Sequence, residues 1–121
     1  KMPALEALNK PVVQKIKDSH PGWTTDQAQH EAVVRAVVKM PEESLDRDFV
    51  DSVDHTVIRD AGERMTKRKR ETLKKNTFES VSQERKALAP NRAARAALTP
   101  ELLAKWRDLA GKERAIGQIT I

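Results

Sequence analysis

The sequence predicts an all-α fold, a single compact bundle of five or six helices, and three observations lead to that prediction. Apolar residues recur at helical spacing in several segments. Aromatic residues make up only 3% of the 121 residues, so the core must consist of Leu, Val, Ile and Ala, which suits packed helices better than a β-sandwich. Prolines, which favour the first position of a helix, precede five helix-forming runs, at Pro3, Pro11, Pro41, Pro90 and Pro100.

The first helical segment is expected over residues 3–18, with a joint near Pro11. It ends before Pro21-Gly22, a dipeptide typical of a tight turn. Its inward-facing residues are predicted to be Leu5, Leu8, Val12, Val13 and Ile16.

The second helix is expected to begin after Thr24, because Thr24 and Gln27 have the spacing of a capping box and Trp23 can pack onto Ala28. The valines over 32–38 also allow a strand, since β-branched residues lower helix propensity. No partner strand is visible, which favours the helix. Its apolar side consists of Ala28, Val33, Val34, Val37 and Val38.

The third helix is predicted to begin at Pro41, with an apolar stripe of Leu45, Phe49, Val50, Val53, Val57, Ala61 and Met65. Carried through to Lys74, it would be about 50 Å long. A compact domain of this size cannot cover such a helix. We therefore expect a break near Gly62, or a basic end that projects from the body. A further helix is expected to start at Asn76-Thr77.

The last strong helix is predicted to open at Thr99-Pro100-Glu101 and to end at Gly111 as its C-terminal cap. The tail over 116–121 reads either as a helix end or as an extended arm. The predicted core comprises Val33, Val37, Phe49, Val53, Val57, Leu102, Leu103, Trp106 and Leu109.

Residue types that carry catalysis are scarce, so neither an enzyme nor a cofactor is expected. The chain has no Cys or Tyr, and its three histidines lie in different segments. Only four glycines are present, and they form no phosphate-binding loop. Asp51, Asp54 and His55 share one side of the predicted third helix, which we interpret as a solvated acidic face rather than a metal site.

The most charged run is MTKRKRETLKK, over residues 65–75. Residues 64–75 contain one acid and seven bases, which are the candidate anion-binding residues Arg64, Lys67, Arg68, Lys69, Arg70, Lys74 and Lys75. Acid-before-base pairs at i, i+4 support a helix here: Asp60–Arg64, Glu63–Lys67 and Glu71–Lys75. With almost no apolar stripe, this helix is expected to be exposed and to carry a positive field.

We expect this run to contact the phosphate backbone of DNA or RNA. The nearby sequence offers no aromatic residues for base stacking, so sequence-specific readout is not indicated. If helices 64–75 and 77–97 fold back on each other, the patch is widened by Arg85, Lys86, Arg92 and Arg95. The alternatives are a protein–protein docking or scaffold module with charged flanks, and a plain solvated helix.

The remaining expectations concern cellular context. The formal net charge of +5 favours anionic partners. The lack of Cys fits a reducing, cytoplasmic location, and no apolar run is long enough to span a membrane. Because the chain begins at Lys1, we expect a single helical domain from a larger protein. The sequence leaves the oligomeric state open.

Overall fold

A computed structural model describes residues 9–121 and confirms the all-α class, with seven α-helices, one short 3₁₀ turn and no strand among these residues. In chain order the elements are α1 (Lys10–Ser19), α2 (Thr25–Val38), the 3₁₀ turn (Glu42–Ser44), α3 (Arg47–Ser52), α4 (His55–Arg64), α5 (Lys67–Leu88), α6 (Arg92–Ala96) and α7 (Pro100–Gly117). The count exceeds the predicted five or six because the third predicted helix is divided.

Helices α1 and α2 form an antiparallel pair with a small apolar cluster of their own. The capping box at the start of α2 is confirmed, because the Thr24 side chain accepts from the Gln27 N–H and the Gln27 side chain accepts from the Thr24 N–H. The cluster consists of Val13, Ile16, Ala28 and Ala32, with Trp23 packed against it. Val12, predicted to face inward, is 44% exposed. Leu5, Leu8 and the predicted helix start near residue 3 lie outside the described residues.

The prediction of one long third helix is wrong, because capping side chains begin a new helix at three positions. Asp46, Asp54 and Thr66 each accept a backbone N–H in the first turn of α3, α4 and α5 respectively. The break near Gly62 therefore falls slightly later, at 65–66. The new helix expected at Asn76 does not form, since α5 runs without interruption through that position.

The main core lies where α5 packs along α7, with α4 bridging α7 and α2. Its centre includes Val37, Leu45, Phe49, Val50, Ile58, Leu73, Val81 and Ile116, all essentially inaccessible to solvent. The predicted core residues Val37, Phe49, Val57 and Leu109 are buried. The burial of the other predicted core residues was overestimated. Leu102 is 40% exposed, and partial burial is found for Val33, Val53, Leu103 and Trp106.

The predicted end of the last helix at Gly111 is also wrong, because α7 continues to Gly117. A Cβ atom at Gly111 would lie 3.1 Å from the His55 ring, so glycine here permits α4 to approach α7 closely. The tail beyond α7 turns back, and its Ile119 is buried against Gly62. Within residues 9–121, no helix is both long enough and apolar enough to cross a bilayer.

Candidate anion-binding surface

Three bases of the run 64–75 bind backbone carbonyls at the ends of helices. Lys69 Nζ donates to the carbonyl of Val38, the last residue of α2, at 2.8 Å. Lys74 Nζ donates to the carbonyls of Gly117 and Ile119, at 3.3 and 3.1 Å, where α7 ends. Carbonyls at a helix C-terminus lack intrahelical partners and carry partial negative charge. These two lysines therefore stabilise the ends of other helices.

Arg70 has a related position at the joint between α4 and α5. Its Nη1 donates to the carbonyl of Met65 at 2.6 Å, while its buried Nε has no hydrogen-bond partner. Arg70 also lines a depression of about 550 Å³ beside the C-terminal tail. Arg59 and Glu63 line the same depression. Glu63 contributes a carboxylate there, so it partly neutralises the positive charge that the depression could offer an anion.

Two further bases of the run are paired with distant acids. Arg64 donates two hydrogen bonds to the buried Glu31 of α2, at 2.7 and 2.9 Å. Those bonds, with a further one from Arg35, lower the pKa of Glu31 to about 2. Arg68 lies 2.9 Å from Glu42, although its own side chain is 84% exposed. A hydrogen bond from Thr72, and then the one from Arg68, lower the pKa of Glu42.

The three predicted i, i+4 ion pairs are wrong. Asp60 binds His30 at 2.6 Å and Arg59 at 2.9 Å, while Arg64 turns to α2. The helix break at 65–66 separates Glu63 from Lys67, and Glu71 and Lys75 do not come within ion-pair distance. The partners that replace them lie up to about thirty residues away in sequence.

Lys67 and Lys75 are the members of the run that stay exposed and, among residues 9–121, lie within 4 Å of no carboxylate. On α5 they alternate at four-residue intervals with Glu71 and Glu79, so this face carries both signs. Such a face resembles the solvated helix considered as an alternative.

The condition under which Arg92 would widen the basic patch, a fold-back between helices 64–75 and 77–97, is not met. Helix α5 is continuous over 22 residues, which at the standard rise spans about 33 Å. Lys67 therefore lies at the start of this helix, and Arg92 lies beyond its other end. The bases that follow α5 form a separate group.

That second group lies where the short helix α6 meets the start of α7. The Asn91 side chain accepts from the Ala94 N–H and so starts α6, and the Thr99 side chain accepts from the Leu102 N–H and so starts α7. The two helices enclose an open depression of about 430 Å³, which we call the α6–α7 depression. It is lined by Arg92, Arg95, Ala96, Leu103, Trp106 and Arg107.

Among the described residues, the three arginines of the α6–α7 depression have no acidic counterpart. No carboxylate of the described residues lies within 4 Å of the guanidinium groups of Arg92, Arg95 or Arg107, and no acid lines the depression. Arg92 and Arg107 are exposed, and Arg95 is partly buried. Because no partner neutralises them, they project a positive field into one concave surface.

Trp106 forms part of the same surface and is held in a fixed orientation. Its indole Nε1–H donates to the carbonyl of Ala89 at 3.0 Å. The Arg95 guanidinium lies 4.7 Å from the ring centroid, and the Arg85 guanidinium lies 5.8 Å from it. Both distances are within the range of cation–π attraction. Trp106 was predicted as core, whereas the structure places its half-buried ring among arginines.

Sequence reasoning named Arg92 and Arg95 only as an extension of the run 64–75 and missed that they form a separate group, although a signal was present. Residues 92–107 contain four bases and one acid, a basic bias that is weaker than that of the run 64–75. The bases are interrupted by Leu102 and Leu103, so they do not appear as one charged block. Arg107 in particular was not singled out.

A neighbouring depression of about 460 Å³ lies beside Phe78, Arg85 and Trp106, and it is less suited to anions. Arg85 forms an ion pair with Glu113, which also lines this depression. Glu113 accepts a further hydrogen bond from Ser82 at 2.8 Å. The charge of Arg85 is therefore compensated within the fold.

No group of three His, Asp or Glu residues in the described part of the chain is arranged to hold a metal ion. Asp51, Asp54 and His55 do not share one helix, because α3 ends at Ser52 and α4 begins at His55. Asp51 instead binds Arg47 at 2.9 Å, and Asp54 caps α4.

Comparisons with protein-family models, with curated proteins and with solved structures each find no match to this chain.

Proposed function

We propose that this domain is a non-catalytic helical module that binds an anionic partner, the phosphate backbone of DNA or RNA, at the α6–α7 depression. One observation carries the proposal: Arg92, Arg95 and Arg107 line one concave surface and have no carboxylate partner among the described residues. An uncompensated arginine presents a planar fork of donors that matches a phosphate group.

The proposed binding is independent of base sequence. Side chains that read adenine or cytosine edges are Asn, Gln, Asp and Glu, and none of these lines the α6–α7 depression. Arginine can read guanine edges, but we assign these arginines to phosphate. The field of the arginines acts on phosphate, which every nucleotide carries. The run 64–75 stays a prediction as a second contact surface, with Lys67 and Lys75 as the exposed members that have no carboxylate partner among the described residues.

Fluorescence anisotropy with labelled DNA at low salt tests the proposal. If three arginines each neutralise one phosphate, the log–log salt slope on B-DNA is about −2.7, which is three contacts at about −0.9 each. Binding should be equal for duplexes of unrelated sequence. No detectable affinity for DNA or RNA at low salt would refute the proposed function.

Three double variants separate the location of binding from net charge. Arg92→Glu with Arg107→Glu changes the α6–α7 depression, and Lys67→Glu with Lys75→Glu changes the exposed part of the run 64–75. Each pair lowers the formal net charge from +5 to +1, because each reversal removes two units. The matched control, with the same net charge, reverses Lys15 and Lys39, which are exposed and distant in sequence.

We expect the first variant to lose binding and the control to keep it. Equal losses in all three variants would mean that net charge alone attracts DNA. A loss confined to the second variant would move the contact surface to the run 64–75. All the substituted residues are exposed, so the thermal midpoint should change little.

Protein docking is the second candidate, and the apolar part of the same region favours it. Leu102 is 40% exposed next to the α6–α7 depression, whose lining includes Ala96 and Leu103. A protein partner that stays bound at high salt after nuclease treatment would support docking, since phosphate contacts weaken steeply with salt.

A further inference from the structure

We infer that the α6–α7 depression prefers single-stranded nucleic acid and receives one unstacked base beside Trp106, while Arg92 and Arg107 bind the flanking phosphates. This inference rests on the proposed function and adds the class of ligand. It follows from the apolar floor of the depression, the fixed ring of Trp106 and the exposed arginines on the rim.

The lining of the depression has an apolar part, which we call the floor, and a part of exposed arginines, which we call the rim. Ala96, Leu103 and Trp106 supply the apolar surface, and Arg92 and Arg107 are the exposed bases beside it. A site for phosphate alone would gain nothing from an apolar floor, because phosphate oxygens need donors. A nucleotide has both a flat base and an anionic group. Its base fits the floor and its phosphate fits the rim.

The volume agrees with a ligand of this kind. The depression holds about 430 Å³, and small-molecule sites typically hold about 300–1,000 Å³. A double helix presents a convex, charged surface and keeps its bases stacked inside. Only a strand with unstacked bases can place one of them in this depression.

Trp106 is already arranged as a stacking platform. Its indole N–H donates to the carbonyl of Ala89, and this bond orients the ring. The Arg95 guanidinium lies 4.7 Å from the ring centroid and can share the platform, because bases stack on arginine planes as well as on aromatic rings. Aromatic stacking tolerates any base, which agrees with the lack of side chains that read adenine or cytosine.

Tryptophan fluorescence gives a direct test, because the chain has two tryptophans. Trp23 stacks on His20 in the α1–α2 pair, outside the α6–α7 depression. The variant Trp23→Phe leaves Trp106 as the sole reporter. We would titrate it at low salt with oligothymidylate and with a duplex of the same length.

We expect oligothymidylate to quench Trp106 and to bind about fivefold or more tightly than the duplex, given the measured contribution of one stacked base. Trp106→Phe and Trp106→Leu form a matched pair, since both lose the hydrogen bond to Ala89. The preference for the single strand should survive in the phenylalanine variant and disappear in the leucine variant. Circular dichroism checks that both stay helical.

Two results would overturn the inference and leave the proposed function intact: equal binding of both forms, or single-strand binding without any change in Trp106 fluorescence. Failure of both forms to bind would instead refute the proposed function itself. Tighter binding of an oligoglutamate peptide than of oligothymidylate would overturn the inference in favour of an acidic protein. If Trp106→Leu does not fold, the quenching titration and the phenylalanine variant still decide the question.

Discussion

Replacing Glu31 with Gln should destabilise the domain in a way that depends on pH. Glu31 lies in α2, and its side chain is 11% exposed. It accepts two hydrogen bonds from Arg64 of α4 and one from Arg35, at 2.7, 2.9 and 2.7 Å. Gln keeps the size of the side chain but has one oxygen instead of two and no charge. The change therefore weakens the link between α2 and α4 without leaving a cavity.

The magnitude follows from the pKa of Glu31, which the bonds from Arg64 lower from 4.5 to about 2. A difference of that size corresponds to at most about 3.4 kcal/mol. Arg64 and Arg35 are about half exposed, at 47% and 49%, so water screens their charges. We therefore expect the free energy of unfolding at pH 7 to fall by about 1–2 kcal/mol.

Urea unfolding, followed by circular dichroism, measures this loss. The midpoint for Glu31→Gln should be lower than that of the wild type by about 1 M, given a typical dependence of stability on urea. Glu79→Gln is the matched control, because Glu79 is exposed and, within the described residues, has no ion-pair partner. Its midpoint should be unchanged.

The pH dependence tests the electrostatic cause. Because the pKa of Glu31 is lower in the folded state, its carboxylate stabilises the fold fully above about pH 4.5, and that stabilisation is lost as the pH falls towards 2. The difference between wild type and Glu31→Gln should therefore shrink over this interval. An equal difference at pH 7 and pH 2 would mean that packing is the cause. No difference at pH 7 would refute the reasoning altogether.

Three further changes test other contacts by thermal unfolding. Lys74→Ala should cost about 1 kcal/mol through its two bonds at the end of α7, while Lys75→Ala should cost almost nothing; equal effects would contradict the assigned role. Gly62→Ala should destabilise the domain by about 1 kcal/mol although Ala has the better helix propensity, because its Cβ would lie 3.1 Å from the buried Ile119. A rise in the midpoint would show that the C-terminal tail shifts to make room for the Cβ. Asp46→Ala should cost about 1 kcal/mol by removing the N-cap of α3, and an unchanged midpoint would show that water replaces it.

The sequence predicted those parts of the fold that depend on neighbouring residues. The capping box at Thr24 and the start of α7 after Thr99 were both correct, because a cap is decided within one turn. The all-α class was correct because helical periodicity holds over many residues.

The joints between helices were harder to predict, because an apolar stripe can continue in register across a break. Asp46 and Asp54 both lie within the span predicted as one long helix, whereas each accepts a backbone N–H and begins a new helix. Gly111 shows the opposite error. The sequence predicted Gly111 as a C-terminal cap, but it lies within α7, where the lack of a side chain makes room for the ring of His55 from α4.

The ion pairs failed for a related reason. The i, i+4 rule considers only one helix, and each such pair contributes a few tenths of a kcal/mol. A buried carboxylate such as Glu31 competes more strongly for Arg64, because it offers two well-placed acceptors away from water. Only the tertiary fold brings these two residues together, so local sequence spacing cannot reveal the pair.

The same distinction decides which bases remain available to a partner. A count of charges treats each lysine as free unless an acid is near in sequence, and it overlooks the carbonyls at helix ends. Lys69 and Lys74 are engaged by such carbonyls, and Arg64 is engaged by Glu31. To bind phosphate, each would first have to give up a contact that stabilises the fold.

Arg92 and Arg107 are in a different situation, because neither has a carboxylate partner in the described part of the chain. Binding a phosphate there breaks no ion pair among residues 9–121. The less conspicuous group of bases is therefore the better candidate for an anion, and charge reversal should separate the two groups. Reversing Lys69 and Lys74 should lower stability, whereas reversing Arg92 and Arg107 should lower affinity and leave stability almost unchanged.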